Sequence, residues 1–180
     1  MIKKYILYAA VSLLADLVAV ILAPVAALFT KTKEGRVYLV PFWAWVTTHD
    51  APVDSGHVDG YWPSPSTKLG LWWSRVRWIW RNPAYSIDHR LGYDQRGVKL
   101  TKHSDNEALW DTGIPNKAYW TAVNAVGTPA FLYEKQTNWK LPFFKTVFTL
   151  EEQYGWKLYR NDPDQRCMLA IRFSPFKRYV

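Results

Sequence analysis

Residues 6–30 read ILYAAVSLLADLVAVILAPVAALFT, 25 positions carrying a single charge, Asp16. Wound as a helix at about 1.5 Å per residue, the run is longer than the roughly 30 Å hydrocarbon core of a bilayer. Lys3 and Lys4 precede it; Lys31, Lys33 and Arg36 follow it. The stretch reads as a single-pass transmembrane anchor. A cleaved signal peptide is the rival, with Val25-Ala26-Ala27 as its cleavage site. Its apolar core would exceed the usual length of roughly 7–15 residues and would contain an acid. Pro24 kinks such a helix or lets its last turn lie along the interface. Both flanks are basic, and three cations after the run against two before it favour a domain on the cytoplasmic side. A re-entrant or monotopic placement satisfies both flanks at once.

Asp16 sits near mid-span, where a charge costs about 2.5–3.5 kcal/mol on insertion scales. Two readings stay open. Asp16 either drives helix pairing, into a homo-oligomer or with a host or phage membrane protein, or is a protonated acid that the surplus hydrophobicity tolerates.

Working outward, KTKEGRV (31–37) is a polar connector that closes an anchor region, 1–37, ahead of a soluble domain, 38–180. Val37–Val46 (VYLVPFWAWV) is an apolar run broken by Pro41, either membrane-adjacent or a strand at the edge of a core. Residues 47–70 form a long acidic loop dense in Pro, Gly, Asp and Ser; structureless loops of this length are uncommon in compact domains and are usually functional or disordered. From about Thr67 to Arg81 the periodicity predicts a helix within 67–82, with Ser66 as N-cap and Pro83 ending it. Leu69, Trp72, Trp73, Val76, Ile79 and Trp80 share its apolar face, with Ser74, Arg77 and Arg81 opposite.

After Tyr93 the texture is that of strands. Val98 and Leu100 alternate with polar neighbours; Tyr119–Val126 and Ala130–Lys135 flank Gly127-Thr128-Pro129; Phe144, Thr146, Phe148 and Leu150 line one side of another strand. Gly155–Arg160 and Cys167–Phe173 read as a hairpin joined through Asn161-Asp162-Pro163-Asp164. The fold class is therefore α+β: an anchor helix, an amphipathic Trp/Arg helix, and over 93–180 a small antiparallel sheet or partly closed barrel.

Charge and aromatics bear on partners. The chain carries +8, with a pI of about 9.5. Residues 1–37 hold five Lys/Arg against two acids, and 71–100 hold six against two, so the excess flanks the apolar run and returns in the Trp-rich stretch. That placement suits anionic headgroups, with nucleic acid as the competitor. Seven of the 11 Trp fall between Trp43 and Trp80. The Trp/Arg helix has three readings: an interfacial helix with Trp in lipid and Arg at headgroups, a core helix packed on the sheet, or a platform for single-stranded nucleic acid.

His49, Asp50, Asp54, His57 and Asp59 supply ligand types for a divalent metal, such as zinc, calcium or magnesium, and so for a metal-dependent hydrolase. Their spacing matches no established metal template, and the same residues serve as turn and cap formers. Asp88-His89 is an isolated pair that surface charge explains equally well. The chain has no Gly-x-Ser-x-Gly elbow and no Gly-rich phosphate loop. Cys167, the one cysteine, precedes Met168-Leu169-Ala170-Ile171 and reads as a buried thiol in a strand.

The anchor SLLADLVAVILAPVAALF (12–29), the segment HDAPVDSG (49–56) and above all RVRWIWRNPAYS (75–86), with Gly155-Trp156-Lys157-Leu158 near the end, resemble a family of small uncharacterised membrane-anchored proteins of tailed bacteriophages. The resemblance implies action at the host inner membrane and carries no known activity or catalytic residue. The expectation is thus a phage-encoded, non-catalytic binding protein at that membrane, modulating a host envelope protein or superinfection. A virion or assembly component is the alternative. The residues expected to meet lipid or a partner are Asp16, Trp72, Trp73, Arg75, Arg77, Trp78, Trp80 and Arg81.

Overall fold

In a computed structural model of the chain, the apolar run folds as one helix, α1 (Ile2–Ala26), with Pro24 inside its last turn. Residues 1–48, 51–102, 116–140, 142, 146–158 and 166–177 are described. They divide into two compact units: Leu7–Arg90, and Met1–Ile6 together with Leu91–Val180. The architecture is α+β.

The first unit is mostly helical. The segment expected to be a plain connector is a hairpin of β1 (Thr30–Lys33) and β2 (Arg36–Leu39), turned at Glu34 and Gly35. Both turn residues have positive φ, 53° and 75°, the backbone that a two-residue hairpin turn with the strands' own twist requires. Pro41 then ends strand pairing and opens a 3-10 helix, Pro41–Val46. The acidic loop is not structureless. Residues 52–56 are buried, and Ser55–Val58 form a short helix, α2. Next comes α3 (Lys68–Arg81), capped one residue later than expected: the Thr67 hydroxyl, not Ser66, accepts from the Gly70 amide at 3.0 Å.

The Trp-Arg-Asn-Pro-Ala-Tyr element joins α3 to α4 (Tyr85–Arg90). Asn82 closes α3, and Ala84, buried and at φ 43°, turns the chain so that its amide donates to the Val46 carbonyl. Ser86 Oγ donates to the Ala44 and Thr47 carbonyls. The element is thereby stapled to the 3-10 helix.

The second unit is a five-stranded antiparallel meander in the order β4 (Lys99–Lys102), β5 (Asn116–Val123), β6 (Pro129–Lys140), β7 (Val147–Trp156), β9 (Leu169–Lys177). A two-stranded sheet pairs β3 (Tyr93–Asp94) with β8 (Arg166–Cys167). Among the described residues the large sheet does not close into a barrel. The strand expected up to Leu150 and the start of the one expected from Gly155 are continuous: β7 runs from Val147 to Trp156, passing through Gly155 at φ 116°. A Cβ at Gly155 would lie 2.1 Å from the Phe131 carbonyl oxygen, so only glycine lets β6 and β7 stay paired there. The expected linker Asn161–Asp164 lies outside the described residues. From Met1–Ile6, Tyr5 donates its hydroxyl to the Ala170 carbonyl and sets its ring edge-on to Phe131 and Trp156.

Burial alternates along β6. Ala130, Leu132, Glu134 and Gln136 are buried, while Phe131, Tyr133, Lys135 and Thr137 are half-buried on the other face. The buried face is partly polar. Gln153 Nε2 donates to Glu134 at 2.8 Å and Gln136 Nε2 to Glu151 at 3.2 Å, each pair directly opposite across β6 and β7. Lys177 also donates to Glu151, at 2.8 Å.

Candidate membrane-facing surface

Helix α1 has two unlike sides. Ser12, Ala15, Asp16, Ala19, Ala23 and Ala26 follow each other at helical spacing and form one stripe. Ala19, Ala23 and Ala26 are fully buried in the helical unit's core with Val46, Val76, Trp78 and Ile79. The opposite side carries Ile6, Leu7, Leu13, Leu14, Leu17, Val20, Ile21 and Val25, all exposed; Leu14 is 63 % and Ile21 66 % open. A helix made for water hides its large apolar side chains and shows its small ones. This helix does the reverse, which is how a helix seated in lipid against protein is arranged.

Two indoles from α3 complete α1's hydrogen bonding. Pro24 has no amide hydrogen, so the Val20 carbonyl loses its partner four residues on. Trp80 Nε1 donates to that carbonyl at 3.0 Å. One turn later the Leu28 amide bonds to Val25 rather than to Pro24, and Trp72 Nε1 donates to the Pro24 carbonyl at 2.8 Å. Both freed acceptors are therefore satisfied from within the chain, the requirement for backbone placed out of reach of water.

Helix α3 is turned relative to its sequence reading. Ser74, expected on the wet side, is buried, where its hydroxyl meets His57 Nδ1 at 2.9 Å and Trp62 Nε1 at 2.8 Å. Trp78 is buried as well, beside Trp62 and Tyr61. Leu69, Trp73 and Trp80, from the expected apolar face, are exposed, and Trp73 meets Trp80 edge-on with ring centroids 5.2 Å apart. The inward side of α3 thus carries Ser74 together with Val76, Trp78 and Ile79. Arg77 stands over the Trp62 ring at 4.4 Å and Arg81 over Tyr61 at 4.3 Å, both exposed. Trp73, Trp80, Arg77 and Arg81 thus form an outer edge, while Trp72, Arg75 and Trp78 bind inside the protein.

Arg75 grips Asp54 with two hydrogen bonds, 2.6 and 3.0 Å, both side chains largely shielded. Asp54 and His57 are thereby tied to α3, and Asp59 caps α2. His49 and Asp50 lie outside the described residues, as does His103. Among the described residues no group of three His, Cys, Asp or Glu side chains is placed to hold a metal. A small pocket of about 110 Å³ lies beside Asp54 and Asp59, lined also by Arg36 and Val58.

Asp16 belongs to the inward stripe, with Oδ1 buried and lacking a hydrogen-bond partner. Asp88 is no surface residue: it is buried and accepts from Ser12 Oγ. The Cys167 thiol is buried and donates to Gln95 Oε1 at 2.6 Å. Sequence reasoning missed the buried Glu134, Gln136, Glu151 and Gln153, and also the two carbonyl-capping indoles. For the latter, Pro24 and the downstream Trp cluster were the available signal.

Among the described residues one helix, Ile2–Ala26, is long and apolar enough to cross a membrane. No curated protein and no solved structure matches the chain. A family model covers residues 1–180, and the chain belongs to that family, a family of unknown function (DUF7338).

Proposed function

We propose that this chain is a phage-encoded, membrane-held binding protein that acts at the host inner membrane on a host or phage envelope protein, modulating that protein or superinfection. The observation that carries the membrane half is the inverted α1, with small and polar residues inward and an unbroken Leu/Ile/Val side outward. Retention of α1 is supported by the length of the apolar run, which exceeds the roughly 7–15 residues usual for the core of a cleaved signal, and by the acid within it. The phage half rests on the resemblance carried by RVRWIWRNPAYS. Binding rather than catalysis rests on the same resemblance, which carries no known activity or catalytic residue.

Fractionation of host cells expressing the full chain tests the reading. The protein stays in the membrane pellet through high salt and alkaline carbonate; release by either refutes the membrane half. Crosslinking in those cells, followed by mass spectrometry, then recovers an envelope protein. Recovery of the chain by itself refutes the binding role.

A further inference from the structure

We infer that α1 lies flat in one leaflet rather than across the bilayer, with its Leu/Ile side toward the acyl chains and both ends at the headgroups of the same face. This rests on the membrane reading above and adds the geometry of insertion. Within the helical unit, α1 is fastened to the elements packed on it at three points: at Ser12 by Asp88, at Val20 by Trp80, and at Pro24 by Trp72. Those ties span about 18 Å of helix axis. The partner helix α3 carries exposed Arg77 and Arg81, and α4 ends in exposed Arg90. A crossing α1 would draw these cations into hydrocarbon alongside it. A flat α1 leaves them on the water side.

Three further observations agree. The exposed side of α1 covers about half the cylinder and holds no charge between Leu7 and Val25, as a helix half-sunk in a leaflet requires. Exposed Lys3 and Lys4 at one end, and exposed Lys31, Lys33 and Arg36 at the other, can all meet anionic headgroups of one surface. In a crossing helix they would sit on opposite surfaces, against the usual asymmetry. Trp73 and Trp80 are exposed between the core face of α3 and its Arg77/Arg81 edge, the level at which indoles sit at a membrane boundary.

The test uses nitroxide labels on the full chain in vesicles of phosphatidylethanolamine and phosphatidylglycerol, with the native thiol removed by Cys167→Ser. Leu7→Cys, Leu14→Cys and Ile21→Cys are seven residues apart on the exposed side, so labelling disturbs no packing. Accessibility to oxygen and to a water-soluble relaxer gives each label's depth. A flat helix puts all three at one depth, within about 5 Å, the radius of a helix with its side chains. A Leu14 label about 10 Å deeper than the other two, the axial rise over seven residues, would overturn the inference. Protein left in the supernatant when the vesicles are pelleted is a different result, which removes the membrane reading itself before any depth is read.

Discussion

The bond from Trp80 to the Val20 carbonyl offers a quantitative test of how α1 is held. Trp80→Phe deletes the indole donor and keeps an aromatic ring beside Trp73. Because position 24 is proline, nothing else on α1 can donate to Val20. An acceptor stranded away from water costs about 1–3 kcal/mol, and side-chain bonds measured within membranes fall near the lower end. The expected loss is therefore about 1–2 kcal/mol, at its middle roughly a tenfold shift in the folding equilibrium. Pro24→Ala supplies an amide hydrogen at the right place, so in that background Trp80→Phe should cost under about 0.5 kcal/mol, a coupling of about 1 kcal/mol. Reversible unfolding in phospholipid bicelles, followed by circular dichroism, measures all four corners of the cycle. Trp80 is 41 % exposed, so in plain water solvent would replace the indole and the loss would shrink. Equal costs in the two backgrounds would refute the account of Pro24 and its cap.

Other perturbations separate structural from lipid-facing roles. Arg75→Ala leaves Asp54 shielded and unpaired, and should cost about 3 kcal/mol by denaturant unfolding, with Asp54→Leu restoring a good part of it. Gly155→Ala should cost more than about 3 kcal/mol, because positive φ and a clash with the Phe131 carbonyl coincide; loss of amide-exchange protection in β6 and β7 ahead of other strands reports it. Leu14→Arg on the outer side should weaken vesicle binding at least tenfold and leave detergent stability unchanged. Ala19→Leu on the inner stripe should do the opposite, costing about 1–3 kcal/mol by overpacking while the protein stays in the pellet.

Helix α3 and the meander were legible from period and turn residues, with ends shifted by a few positions. The missed features share a physical cause. Hydropathy scores Ala19, Leu17 and Ile21 alike as apolar, so the run from Ile6 to Thr30 has no visible face; only size distinguishes the inward alanines from the outward leucines. On α3, periodicity puts Trp on the apolar face and Ser opposite it. The serine is buried against His57 and Trp62 of the preceding loop, partners that the period of α3 cannot show. The acidic loop looked unstructured because its order comes from Arg75 and Ser74, which composition within the loop cannot reveal. The Trp and Arg side chains of α3 stand out in the sequence as one group. Their division into an outer edge and an inner grip depends on Asp54, Trp62 and Pro24, which no local pattern links to them.

The polar ladder between β6 and β7 has a consequence for how the sheet finds its alignment. Alternation of apolar and polar residues repeats every second position, so it cannot tell the native pairing from one displaced by two. Here each acid faces an amide, Glu134 with Gln153 and Gln136 with Glu151. Slide the strands by two in one direction and Glu134 meets Glu151, two like charges closed off from solvent. Slide them the other way and amide meets amide, with Glu134 opposite Gly155. Four buried polar side chains thus act as a key that accepts a single alignment, supplying the discrimination that greasy neighbours cannot.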